Sequence, residues 1–143
     1  MVQKYKSPVW TYKYPFELVM TAYERRFPTC ELMPVLVGTD ILREEISSDK
    51  SIHIIERRCK INVDAPYILK KLAGVDYVYF IQINTLDRLN RTLKIEATNE
   101  SFASKVSIKE YCTYYVSQGY LALFIQAGTC LTFSRHIANK KTN

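Results

Sequence analysis

Most signatures of an enzyme or a metalloprotein are missing from this chain of 143 residues. Its two histidines, His53 and His136, stand far apart, and Cys30, Cys59, Cys112 and Cys130 stand singly without a Cys-x-x-Cys pair. Neither a zinc site nor a catalytic constellation is assembled from such spacing. The four glycines make no phosphate-cradling loop, and no Gly-x-Ser-x-Gly elbow is present. These absences predict a non-enzymatic protein with no cofactor and no metal, its thiols free in a reducing compartment.

Long apolar runs are scarce as well. The most apolar window, Tyr120 to Phe133, is broken by Gln126, Gly128 and two threonines, and it falls short of the roughly 20 residues a spanning helix needs. Residues 1–10 carry neither the apolar core of a secretory signal nor an Arg-rich amphipathic pattern. The sequons at Asn90 and Asn99 then read as chance matches, and a soluble chain is expected. Acid is the rarer charge: 14 Asp and Glu against 20 Lys and Arg leave +6, with an isoelectric point near 9.1. That balance favours an anionic partner, whether nucleic acid, an acidic membrane surface or a phosphorylated ligand.

What is present is a folded composition, 48% hydrophobic and 13% aromatic, enough for one domain with a real core. Alternation over Lys4 to Tyr14 predicts a strand, with Pro8 marking an edge or a bulge. Pro15 opens a helix whose apolar face is Phe16, Val19, Met20, Tyr23 and Phe27, ending before Pro28. Strands follow at Val35 to Ser47 and from Ile52, joined as a hairpin by Ser48-Asp49-Lys50-Ser51. Asp64 to Gly74 reads as a short second helix. Tyr77 to Asn84, Thr92 to Asn99 and Lys105 to Val116 read as further strands, the last with Val106, Ile108, Cys112, Tyr114 and Val116 on one face. The order β-α-β-β-α-β-β-β is α+β, with helices packed on one face of an antiparallel sheet.

Two arginines stand out in this pattern. Between Asp49 and Val63, period two puts His53, Ile55, Arg57, Cys59, Ile61 and Val63 on one face. Arg57 thus points where a core should be, and its charge has to meet a carboxylate or await an anionic ligand. Arg26 falls about 80° from the centre of the helix's apolar face, at the boundary of core and solvent, where it either caps the helix end or faces a cavity. A curved sheet under helices can enclose such a cavity, and an apolar pocket with a few placed cations is how a protein would hold a phosphate-bearing lipid.

Tyr14-Pro15-Phe16-Glu17, Tyr23 with Arg26-Phe27-Pro28, Val37-Gly38-Thr39-Asp40 and Thr98-Asn99-Glu100-Ser101-Phe102 resemble the PRELI-like lipid-transfer domains. Within that family, Glu24 to Cys30, Ile54 to Lys60 and Ala73 to Phe80 are most similar to the amino-terminal module of Sec fourteen-like multidomain proteins. The likeness covers roughly residues 1 to 116. It implies a START-like fold whose concave sheet and helices enclose one phospholipid, of phosphatidic acid or phosphatidylserine type in the mitochondrial members. It implies Arg26 as the phosphate ligand and, approximately, Arg57 as a second basic position. Lys60 joins them as a candidate lipid ligand, and His53 and Ile55, on the inward face of the same strand, as candidate cavity lining. Ile68, Leu69 and Leu72 would belong to a lid at the entrance, where Lys60, Lys70 and Lys71 would dock on anionic membranes. The partner of mitochondrial members is a small helical twin-cysteine protein, and this chain's compartment is expected to be cytoplasmic with Golgi association, the mitochondrial intermembrane space being the alternative.

From about Gln118 onward the family pattern is lost. The division expected is a PRELI-like domain over 1–117, incomplete at its carboxy terminus, and a divergent apolar segment with a basic tail over 118–143, as in a truncated or alternatively spliced product without the CRAL-TRIO and GOLD modules. Tyr120 to Ile125 is apolar enough to supply a substitute strand. Two other readings compete with lipid transfer. The first six elements copy the order of an RNA-recognition motif, but Ile52 to Cys59 lacks the aromatics that motif needs, so no nucleic acid is expected. A protein-interaction domain that kept the fold and lost transfer is the other.

Overall fold

The computed structural model describes residues 1–62, 74–116 and 123–133. Along the chain these form β1 (Val2–Lys6), β2 (Trp10–Tyr12), α1 (Phe16–Glu24), β3 (Leu36–Ile46), β4 (Ile52–Asn62), β5 (Tyr77–Asp87), β6 (Thr92–Asn99), β7 (Val106–Val116) and β8 (Leu123–Phe133). All strands join one antiparallel sheet in the order β1-β8-β7-β6-β5-β4-β3, and β2 pairs with β8 on the same edge as β1. From β3 to β8 the chain is a meander, each strand pairing with the next.

The strand expected over Lys4 to Tyr14 is divided in two. Between the pairs Lys6↔Gly128 and Trp10↔Ile125, four steps on one strand face three on the other, so one residue is extruded as a bulge. Pro8, which has no N–H to give, lies inside it. Ser7 holds the join: its N–H donates to the Ala127 carbonyl at 2.8 Å, and its hydroxyl accepts from the Ala127 N–H at 2.9 Å.

Helix α1 leaves β2 at one edge of the sheet and enters β3 at the other, so it has to cross one face. Phe16, Met20 and Tyr23 are buried on that crossing, packed on Leu86, Leu93, Ile95, Tyr114 and Leu123. The helix is shorter than the expected Pro15 to Phe27. Arg26 N–H bonds to the Tyr23 carbonyl and Phe27 N–H to that of Glu24, a tightening to three-residue spacing that ends the α-helix and turns both side chains off its wheel. The second helix expected around residues 64–74 falls largely outside the described residues, so α1 is the one helix among them. Where a substitute strand was expected, β8 forms eleven paired positions with β7.

The turn between β6 and β7 is tied by one side chain. Asn99 Nδ2 donates to the carbonyls of Ser101 and Val106 at 2.8 Å each, and its Oδ1 accepts from the Ile108 N–H at 2.8 Å. Replacing it leaves half-buried backbone groups without partners, so Asn99→Ala is expected to cost about 1–3 kcal/mol in chemical denaturation, whereas the exposed neighbour Lys105→Ala should cost under about 0.5 kcal/mol.

Candidate lipid-binding cavity

The register of the sheet lays rows of side chains across its inner face. One row runs Arg57, Gln82, Ala97, Glu110 and Thr129; the next runs Ile55, Asn84, Ile95, Cys112 and Ala127. Above these rows the end of α1 and the segment that follows it leave a cavity of about 650 Å³, within the ~300–1,000 Å³ that ligand pockets occupy. Tyr23, Arg26 and Phe27 roof it; Met33, Val35, Leu36, Cys59, Ile61, Phe80, Ile95 and Ala97 make its walls mostly apolar.

Arg26 is the cation of this cavity. Its guanidinium carbon lies 4.9 Å from the centre of the Tyr23 ring. Burial raises the Tyr114 phenol and the Cys112 thiol, and Arg26 pulls both back down, which places the charge over that wall. Among the described residues no carboxylate is paired with Arg26. A half-buried, unneutralised guanidinium against apolar walls can accept a phosphate through a bidentate pair of N–H bonds.

Arg57 is differently placed. It is only 3% exposed; its Nη2 donates to Glu24 Oε2 at 3.1 Å, and its guanidinium carbon stacks 3.9 Å from the centre of Phe27. The inward charge has met a carboxylate, and Phe27 lies against it, so Arg57 is absent from the cavity lining. Lys60 does not converge with either arginine. Period two sends it to the opposite face of β4, where its ammonium sits 4.2 Å over the Tyr77 ring. His53 lies in a separate cleft along α1 with Glu17, Glu24, Arg25 and Arg88, its Nε2 2.7 Å from Glu44 Oε1. Ile55 is buried in the inner face but outside the cavity lining. Of the predicted set, Arg26 alone lines the cavity. Ile68, Leu69 and Leu72, with Lys70 and Lys71, lie outside the described residues.

Several wall residues were not singled out as site residues in the sequence: Tyr23, Gln82, Glu110, Cys112 and Tyr114. The alternation over Val106 to Val116 already carried Cys112 and Tyr114 on one face, and that was the available signal. A polar cluster underlies the helix end. Asn84, 3% exposed, donates to the Tyr23 hydroxyl at 3.0 Å, and burial raises that phenol well above its ordinary range against the pull of Asn84 and Arg57. Arg57 Nη1, Gln82 Oε1 and Asn84 Oδ1 are buried with no hydrogen-bond partner among the described residues. No three His, Cys, Asp or Glu side chains converge as a metal site among the described residues.

The profile of the PRELI-like family matches residues 17–138. The chain is 60% identical over 116 residues to the CRAL-TRIO domain-containing protein T23G5.2 of Caenorhabditis elegans, covering 81% of this chain and 16% of that one. It is 60% identical over 115 residues to Protein real-time of Drosophila melanogaster, covering 80% and 18%. It therefore spans about a sixth of the length of these curated relatives. Among solved structures, Ara h 8.0201 superposes with a TM-score of 0.56 at 10% identity, over 95% of this chain and 81% of that one. The architecture is the expected START-like one, an antiparallel sheet with a helix packed across one face.

The Arg57–Glu24 pair predicts an asymmetry in stability. The Glu24 side chain is 45% exposed and that of Arg57 4%, so removing Glu24 strands a buried charge while removing Arg57 returns a carboxylate to water. Glu24→Gln is expected to cost about 1–3 kcal/mol in urea denaturation, and Arg57→Met, which keeps the apolar stem, is expected to cost less. The reverse ranking would show that the guanidinium stabilises through its stacking rather than its ion pair.

Proposed function

The chain belongs to the PRELI-like family, and from that premise we propose that its cavity encloses one phospholipid of phosphatidic-acid type and carries it between membranes, without catalysing a reaction. The observation that carries this reading is Arg26, the one cation of a mostly apolar cavity whose lining also holds Glu110, with no carboxylate ion-paired to it among the described residues. A phosphomonoester suits a guanidinium fork, and Met33, Val35, Ile61, Phe80 and Ile95 offer walls for acyl chains. Arg57 serves this site indirectly, by fixing Glu24 and Phe27 on either side of Arg25 and Arg26.

Transfer also needs a surface that meets a bilayer. Leu32 is 91% exposed and stands next to Met33, which lines the cavity together with Val35. Tyr77 lies under the Lys60 ammonium at the neighbouring end of β4 and β5, an aromatic and a cation of the kind found at membrane interfaces. Lys60 thus fits docking on an anionic surface better than direct contact with the enclosed phosphate. The likeness to a much longer CRAL-TRIO domain-containing relative supports a lipid-handling module of a larger protein; that this is a Sec fourteen-like multidomain protein acting at cytoplasmic membranes, Golgi included, is part of the proposal. A small twin-cysteine helical partner, as in the mitochondrial members, is the less supported arrangement.

Native mass spectrometry of the purified chain tests the reading: one discrete phospholipid adduct is expected. Loss of a charged hydrogen-bond partner is worth about 1.5–3 kcal/mol, so Arg26→Ala should weaken phosphatidic acid binding roughly 10- to 100-fold with the fold intact by circular dichroism. An unchanged adduct in Arg26→Ala would remove the assignment. Because Cys112 lines the same cavity, its alkylation should be several-fold slower in the lipid-loaded protein than in the lipid-free one, while labelling of Cys30, outside the cavity, stays constant.

A further inference from the structure

Three buried polar atoms at the junction of β4 and β5 point to a site that the arginine-centred reading leaves out. Arg57 and Gln82 are directly opposed in the register, and Asn84 is the next residue along the same face of β5, so their side chains stand within about 5–8 Å of one another at Cβ. Each presents an atom without a partner among the described residues: Nη1 of Arg57, a donor; Oε1 of Gln82 and Oδ1 of Asn84, both acceptors. Arg57 and Asn84 are each 3% exposed. Leaving such groups unpaired is expensive, and buried groups of this kind are normally satisfied by protein or by an ordered oxygen.

We propose that Arg57, Gln82 and Asn84 form a binding subsite for a single neutral hydroxyl oxygen. An anion is the poorer fit: Glu24 already neutralises Arg57, and the other two atoms, Gln82 Oε1 and Asn84 Oδ1, are carbonyl oxygens that repel a phosphate oxygen. The donor and acceptor count fits a hydroxyl. It accepts from Arg57 Nη1 and donates towards the two carbonyl oxygens. A water molecule supplies both of those hydrogens; an alcohol supplies one. Gln82 lines the cavity while Arg57 does not, so the subsite opens to bound ligand at one side only, through Gln82. Two sources share this chemistry: a resident water, and a hydroxyl on a lipid headgroup reaching down from the cavity. The first is independent of what the cavity holds. The second rests on the phospholipid reading above.

Crystals of the full chain, lipid-free and loaded with phosphatidic acid or phosphatidylglycerol, at a resolution that orders water, decide the matter. An oxygen within hydrogen-bond distance of Arg57 Nη1 and of one or both of the carbonyl oxygens is expected in every form. If it is an isolated water throughout, the source is solvent; if a glycerol hydroxyl replaces it in the phosphatidylglycerol form, the source is the headgroup. A direct bond from Arg57 Nη1 to Gln82 Oε1 with no third oxygen, or a phosphate oxygen on Nη1, overturns the proposal. In solution, Gln82→Met keeps the shape and removes the acceptor, and is expected to lower the melting temperature by about 3–6 °C. With a headgroup source it also removes any preference for phosphatidylglycerol over phosphatidic acid; with a water source that ratio does not change. An unaltered melting temperature together with an unaltered ratio overturns the proposal. Should the wild-type chain bind no lipid, the lipid-free crystal and the melting shift still decide on the subsite, while the transfer reading alone fails.

Discussion

The burial of one guanidinium sets the angle at which α1 meets the sheet. Arg57 can lie in the inner face of β4 because Glu24 supplies a carboxylate and Phe27 supplies a ring, and both come from the same short stretch at the helix end. An unpaired charge at that depth would cost several kcal/mol, so the helix end is held where the charge is met. The tightened turn that follows, with Arg26 and Phe27 bonded three residues back, then distributes the two side chains: Phe27 lies over Arg57, and Arg26 stands over Tyr23 at the cavity. Ion pair, ring stack and turn form one device, and the position of the cavity's cation is its product.

The cavity exists because a sheet this wide is covered on its inner face, among the described residues, by a single nine-residue helix. The half of the face under Phe16, Met20 and Tyr23 is filled as core. The half beyond Phe27 is left to Phe80, Ile95, Ala97 and Cys112, which line space. Core and cavity are thus two stretches of one continuous apolar surface, and the boundary between them is the polar cluster of Tyr23, Asn84, Gln82 and Arg57. Polar groups at that seam are costly unless paired, and their presence there separates the part of the sheet that must stay closed from the part that can hold a ligand.

Much of this was legible in the residues. Alternation gave the strands over 52–62, 92–99 and 106–116 and the inward direction of Arg57, because period two is a property of the backbone and needs no knowledge of neighbours. The same alternation already sent Lys60 to the other face; grouping it with the arginines as a ligand followed its nearness in sequence and its charge rather than geometry. What could not be read was set by contacts distant in sequence. That Arg57 meets Glu24, 33 positions away, is decided by how the helix crosses the sheet. The split at Pro8 depends on the register of β8, and the helix stops at Glu24 rather than Phe27 because the last turn tightens over the cavity. Arg26 was found because a motif and a helical wheel agreed on it; Glu110 shares the alternation face of Ile108 and Cys112, but its place beside Gln82 in the cavity emerges only from the rows that pairing creates.

The pairing of β8 has a consequence for how the chain is made. β8 is an interior strand only because β1 and β2 occupy its outer edge, and the bond between Ala127 and Ser7 joins residues 120 apart. On the ribosome, the opening segment with its exposed Tyr5, Trp10 and Tyr12 therefore waits for its partner strand. At about 5–20 residues per second the delay is on the order of ten seconds. Through that interval the residues that become β1 and β2 have no strand to pair with, and their backbone groups and aromatic side chains stay exposed, the kind of segment that favours association with another chain.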